Sequence, residues 1–123
     1  MAYCWLIRYL DKNIMKVLES KKVEGMYMFW CPGCKGLHQV PTKHTHSQNW
    51  GFNGNLDAPT FTPSILTQNA PNGTWQTACH SFVTDGKIQF LSDCPHELSG
   101  QTVELDEIDK ESRFYFNWER GNY

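Results

Sequence analysis

The stretch Cys79-His80-Ser81-Phe82-Val83-Thr84-Asp85-Gly86-Lys87-Ile88-Gln89-Phe90-Leu91-Ser92-Asp93-Cys94 decides how this chain folds. Asp-Gly between two alternating runs is a strong signal for a two-residue hairpin turn, because that turn needs left-handed backbone at its centre. A turn at Asp85-Gly86 sets the register: Thr84 opposes Lys87, His80 opposes Leu91, and Cys79 opposes Ser92. Side chains alternate along a strand, so one face carries Cys79, Ser81, Val83, Ile88, Phe90, Ser92 and Cys94. The other carries His80, Phe82, Thr84, Gln89, Leu91 and Asp93. Cys79 and Cys94 become diagonal neighbours on one face, and His80 and Asp93 on the other, with Cβ atoms roughly 7 Å apart. A bulge would move one pair to the opposite face.

Working outward, a second cysteine pair stands upstream as Cys31-Pro32-Gly33-Cys34. A Cys-x-x-Cys turn aims two sulfurs at one point, and a pair from another hairpin can close a tetrahedron around Zn²⁺. Cys31, Cys34, Cys79 and Cys94 are therefore the expected zinc set. Four thiolates leave no position for water, so the zinc is expected to be structural. The alternative for Cys79 or Cys94 is a buried apolar thiol. His38 and His96 are reserve ligands, each of which also reads as a polar histidine at a strand end. His44 and His46 sit in a polar loop, where solvated histidines are the commoner case. A thioredoxin-like role for the Cys31–Cys34 turn fits poorly, because that motif opens a helix and no helical pattern follows.

The chain has 123 residues, five cysteines and a formal charge of −2. That length reads as a single domain, 1–123, with a core small enough to profit from a metal staple. The near-neutral charge gives no electrostatic footprint for nucleic acid. The apolar stretch Ala2 to Leu10 is broken by Arg8 and reads as neither signal peptide nor membrane span. Without a secretory signal, reduced thiols and a metal fit better than disulfides, and the expected compartment is the cytoplasm of a bacterium or a phage-infected cell.

Strands are expected over Tyr3–Leu10, Glu24–Trp30, Leu37–Val40, Ser64–Thr67, Trp75–Val83, Lys87–Asp93 and Gln101–Leu105. A short helix capped by Asp11 or Asn13 is expected through Leu18, and residues 106–123 are open between helix and edge strand. The fold class is mainly β (a small β-rich α+β domain), with a zinc-ribbon-like knuckle, β-hairpins and little helix. The stretch 41–63 is polar and long for a loop in a compact domain, a length that often marks function. Trp50, Phe52 and Phe61 are expected to cover the core beneath it.

Ser64 follows that loop in Pro59-Thr60-Phe61-Thr62-Pro63-Ser64. Two prolines restrict the backbone around it, and rigid placement is what a nucleophile needs. His80, oriented by Asp93, would supply the base that a serine requires. A hydroxyl that merely caps a turn needs no such partner, and the sequence by itself favours that reading.

These motifs, taken in order, resemble a family of small bacterial and phage zinc-binding proteins. The resemblance rests on Cys31, Cys34 and His38; Trp50, Asn53 and Gly54; Pro59 through Ser64; Cys79 through Leu91; Asp93, Cys94 and His96; and Gly100 through Val103. It covers about residues 27–105. Such proteins often carry the label ammonia monooxygenase, which does not suit this chain: that enzyme is a membrane-embedded copper complex. The family is similar to the peptidase-like component of bacterial ubiquitin-like operons. The resemblance implies a serine hydrolase that trims or releases a small ubiquitin-like protein. It also implies Ser64 as nucleophile, His80 or His96 as base and Asp93 as the group orienting the base.

The leading expectation is a zinc-stapled serine-type peptidase acting on a protein or peptide, with no nucleic-acid or membrane partner. One alternative is a non-enzymatic phage zinc-ribbon protein that binds a host protein, which needs no Ser64–His80 contact. Another is a zinc metallohydrolase, which needs histidines in place of some sulfurs so that the metal keeps a water.

Overall fold

A computed structural model describes residues 14–43 and 48–109. The expected strand Tyr3–Leu10, His44, His46 and residues 110–123 lie outside the described residues. Among the described residues all regular structure is β. The strands are β1 (Ile14–Met15), β2 (Leu18–Glu19), β3 (Met26–Cys31), β4 (Gly36–Pro41), β5 (Gly51–Phe52), β6 (Phe61–Asn69), β7 (Gln76–Thr84), β8 (Lys87–Phe90), β9 (Thr102–Glu104) and β10 (Ile108–Asp109). They form a β1–β10 ribbon, a β2–β3–β4 sheet and a five-stranded sheet running β5 to β9 in chain order. Every pairing is antiparallel.

The run Met26-Tyr27-Met28-Phe29-Trp30-Cys31 explains the layering. Met28 and Phe29 are consecutive, point to opposite faces of β3, and are both fully buried. Phe29 joins the main core with Cys31, Val40, Phe61, Ile65, Cys79, Val83, Ile88 and Phe90, contributed by the three- and five-stranded sheets. Met28 joins Leu18 and Ile108 in a second cluster on the reverse face. A strand buried on both sides needs no polar alternation, which is why this segment alternates only loosely. Each fully buried large side chain contributes roughly 1.5–3 kcal/mol. Tyr27, Trp50 and Phe52 pack against the main core as half-buried rings, and Phe52 stacks on Phe61 at 4.8 Å.

The Asp85-Gly86 hairpin forms in the expected register, with Thr84 opposite Lys87 and Val83 opposite Ile88. Asp85 and Gly86 have φ of 51° and 79°, the left-handed pair that this turn demands. Cys79, Ser81, Val83, Ile88, Phe90 and Cys94 are buried, whereas Phe82, Thr84, Gln89 and Asp93 are exposed.

Three expectations are corrected. The short helix through Leu18 is absent from the described part of that segment, which holds β1 and β2 instead. Leu18 pairs with Met28, and the Lys16 and Val17 amides donate to Leu56 O, so tertiary pairing replaces an isolated turn too short to be stable. The strand Lys87–Asp93 stops at Phe90, because Cys94 N–H turns back onto Leu91 O. The stretch 41–63 is also not all loop: β5 lies within it, and β6 begins at Phe61. Between the pairs Phe61–Val83 and Ile65–Ser81 the chain advances four residues on β6 against two on β7. The cis Thr62–Pro63 bond and Ser64 fall in that irregularity.

Candidate active site and metal centre

Ser64 reaches its position through the register of β6 on β7. Leu66 is the direct partner of His80, so Ser64, two residues earlier on the same face, is a diagonal neighbour of the histidine. The surplus residues just before it are the device by which a strand re-aims a side chain. Trp50 Nε1 donates to Ser64 O at 3.2 Å and ties down the backbone there. Thr60 and Pro59 are held to the Asp85-Gly86 turn, through Asp85 N to Thr60 Oγ1 and Gly86 N to Pro59 O.

Ser64 Oγ lies 3.1 Å from His80 Nε2, and His80 Nδ1 lies 3.1 Å from Asp93 Oδ2. A carboxylate only accepts, so Nδ1 carries the proton in that bond and Nε2 presents its lone pair to the serine hydroxyl. Three side chains from β6, β7 and the turn after β8 thus line up across the outer face of the large sheet. Ser64 and His80 are half-buried, and Asp93 is exposed. Chemically, this arrangement can take a proton from the hydroxyl and stabilise the resulting imidazolium. Leu66 and Phe82 flank His80 on the same face and are 45% and 42% exposed, unusual for large apolar side chains.

The opposite face of the hairpin carries the cysteines. Ligand atoms of Cys31, Cys34, His38 and Cys79 all lie within 4.8 Å of one another, close enough to hold one metal ion. The β3–β4 turn shapes half of this group: Cys34 N–H points at Cys31 Sγ at 3.3 Å, and Lys35 takes a φ of 56° to complete the knuckle. Cys31 Sγ and Cys79 Sγ are 4.0 Å apart, well beyond a disulfide. The hydrogen bond from Cys79 holds the Cys31 thiol well below its ordinary pKa. Cys34 is pushed up by burial and then by the Cys31 charge, and Cys79 is raised by its bond to Cys31 and by burial. One thiolate therefore resists the ionisation of its neighbours, a repulsion that a divalent cation reverses.

His38 completes the fit. Its Nε2 is shielded from solvent and has no hydrogen-bond partner, while Nδ1 sits 3.5 Å from Thr67 Oγ1. An imidazole that donates Nδ1–H to a hydroxyl offers Nε2 as a ligand, the usual arrangement around a bound metal.

A second group, Cys79, Cys94 and His96, shares Cys79 with the first. Cys94 thus lies outside the four-membered group, where His38 stands in the place expected of a fourth thiolate. Cys94 Sγ instead accepts from His80 N–H and donates to His80 O, both at 3.1 Å. His96, the other expected base, turns inward: Nδ1 accepts from Leu98 N–H, and Nε2 lies 3.7 Å from Cys79 Sγ. Its ring packs edge-on against Phe90 at 4.5 Å and lies over Gly33. Sequence reasoning placed Phe82 on the His80 face by alternation but gave it no role, and it missed Thr67 and Leu66. The only signal for Thr67 and Leu66 is the β6–β7 register, and the surplus residues in β6 hide it.

Among the described residues no helix is long and apolar enough to cross a membrane. Residues 6–91 match the family described as bacterial ubiquitination-like system serine protease (BubE). The matched span includes Ser64, His80, Cys31, Cys34, His38 and Cys79, and ends just before Asp93, Cys94 and His96. No curated protein and no solved structure matches the chain.

Proposed function

The chain belongs to the family of bacterial ubiquitination-like system serine proteases (BubE), and from that membership we propose that it is a serine-type peptidase built on Ser64, His80 and Asp93. The observation that carries this reading is the unbroken line from Ser64 Oγ through His80 to Asp93, with both links at 3.1 Å. Ser64 Oγ attacks the substrate carbonyl as its proton passes to His80 Nε2. Asp93 fixes the tautomer and stabilises the imidazolium. His80 then protonates the leaving group, and the same base activates the water that frees the acyl group. Trp50, by holding Ser64 O, keeps the nucleophile's backbone in register.

The substrate in this reading is a protein of a bacterial ubiquitin-like system, entering across the outer face of the sheet. Leu66 and Phe82 border the Ser64–His80 pair there and provide apolar ground for the acyl side of the scissile bond. Zn²⁺ is the metal proposed for Cys31, Cys34, His38 and Cys79. Three sulfurs and one imidazole nitrogen suit its borderline-soft character, and four protein ligands make the site structural. The zinc neutralises the clustered thiolates and staples β3–β4 to β7.

A serine-directed fluorophosphonate probe tests this function. The chain should label at Ser64, and labelling should vanish in Ser64→Ala. A folded, metal-loaded protein that does not label would overturn the proposal in favour of a binding module.

A further inference from the structure

We propose that Cys94 is a positioning residue for the base, a thiol clamp on the His80 backbone, and not a metal ligand. This inference rests on the serine-peptidase reading of the site. In an unbroken antiparallel ladder His80 and Leu91 would exchange both backbone bonds. Only one is made, from Leu91 N to His80 O at 2.9 Å. Leu91 O is occupied instead by Cys94 N–H at 3.2 Å and by Ser99 Oγ at 3.2 Å. The His80 amide is left to find another acceptor, and Cys94 Sγ is that acceptor at 3.1 Å. The same sulfur donates to His80 O at 3.1 Å.

Both engagements of Cys94 are with the His80 peptide, and its sulfur lies outside the group formed by Cys31, Cys34, His38 and Cys79. Its burial, 5% exposed, shields both bonds from water. Asp93 and Cys94 then divide one task between consecutive residues: Asp93 orients the His80 ring on the outer face, and Cys94 holds the His80 peptide from the inner one. Small errors in the placement of a base are costly, since misplacement by about 1 Å can lower a rate about a hundredfold.

The test compares Cys94→Ala and Cys94→Ser in the full, metal-loaded chain, with Ser64→Ala as the activity blank. Zinc content, kcat and KM on a p-nitrophenyl ester, and hydrogen exchange of the His80 amide are measured. Cys94→Ala should keep one zinc per chain and its KM, while kcat falls about tenfold or more and the His80 amide exchanges at least about tenfold faster. Cys94→Ser has a hydroxyl that both donates and accepts, and should restore kcat and amide protection while keeping zinc. Loss of zinc from either variant makes Cys94 a ligand and overturns the proposal, as does an unchanged kcat in Cys94→Ala or a failure of serine to rescue. If Cys94→Ala does not fold, zinc retention and activity in Cys94→Ser decide the matter. Absence of any Ser64-dependent turnover in the unmutated chain would be a failure of the peptidase reading instead, and the exchange of the His80 amide would still report the clamp.

Discussion

Cys79 and His80 are consecutive on β7 and serve opposite faces of it. The Cys79 sulfur lies 4.0 Å from that of Cys31 in the buried cluster, while His80 Nε2 lies 3.1 Å from Ser64 Oγ on the outer face. Strand alternation forces this division. It means that the cysteine–histidine cluster and the proposed acid–base pair share one peptide plane. His80 is anchored by whatever anchors its neighbour, and a register slip of one residue would exchange their faces.

The proposed base should depend on Asp93 for orientation and not for folding. Asp93→Asn should leave the circular dichroism spectrum and the zinc content unchanged. It should lower kcat by about 10²- to 10⁴-fold, because the amide no longer enforces the tautomer that offers Nε2 to Ser64. A kcat within twofold of the unmutated protein would show that His80 is oriented by something else.

The purified chain should carry one equivalent of zinc, and its removal should unfold it. A structural site contributes folding free energy directly, so a strong chelator should lower the unfolding midpoint by roughly 10 °C or more. Activity should disappear with the fold. Activity lost while the β-rich spectrum persists would identify a catalytic metal with an open position.

Thr67 is expected to act on the metal only through His38. Thr67→Val removes the hydroxyl beside His38 Nδ1 and should weaken zinc affinity about 10-fold, measured by competition with a chromophoric chelator. In the zinc-saturated protein kcat should not move. Unchanged affinity would mean that His38 is oriented without the threonine.

Gly33 is glycine because the His96 ring occupies the space of a side chain. A Cβ there would run into the His96 ring. Gly33→Ala should therefore cost about 1–3 kcal/mol in unfolding free energy. Truncating the ring in Gly33→Ala/His96→Ala should recover part of that cost, so the two changes should be non-additive. Additive effects would show that the ring is not what excludes the methyl group.

Leu66 and Phe82 should set acyl preference. In a series of p-nitrophenyl esters, kcat/KM should rise with chain length, by up to about fourfold for each methylene that is buried. Leu66→Ala and Phe82→Ala should flatten that rise while hydrolysis of the acetate is retained. The same slope in both variants would remove these side chains from the substrate's path.

Much of this arrangement was legible in local pattern. Asp85-Gly86 set the hairpin register, and alternation from that turn placed Cys79 and His80 on opposite faces. Cys31-Pro32-Gly33-Cys34 marked the knuckle. The pairing of His80 with Asp93 also followed, although it is made from a turn and not from a continuing strand. The helix expected through Leu18 was misread over its described residues, because so short a segment carries little intrinsic preference against partners such as Met28 and Leu56. Spacing led to Cys94 as the fourth ligand; the structure groups it with Cys79 and His96 and turns its sulfur onto the His80 peptide, a direction that spacing does not record.

From its own order of residues this protein determined the turns, the alternation of faces and the chemical types available at each. Those are local properties, set by backbone sterics and side-chain chemistry within a few positions. Only the tertiary structure decided that Ser64 meets His80, that His38 joins the three sulfurs, and that Cys94 grips a peptide. The first two depend on how β6 and β4 dock against β7, and the third on the turn by which the chain leaves β8. That docking is governed by the fit of Phe29, Phe61 and Val83 in a shared core and by the surplus residues in β6, a balance of packing and register that no single stretch of sequence contains.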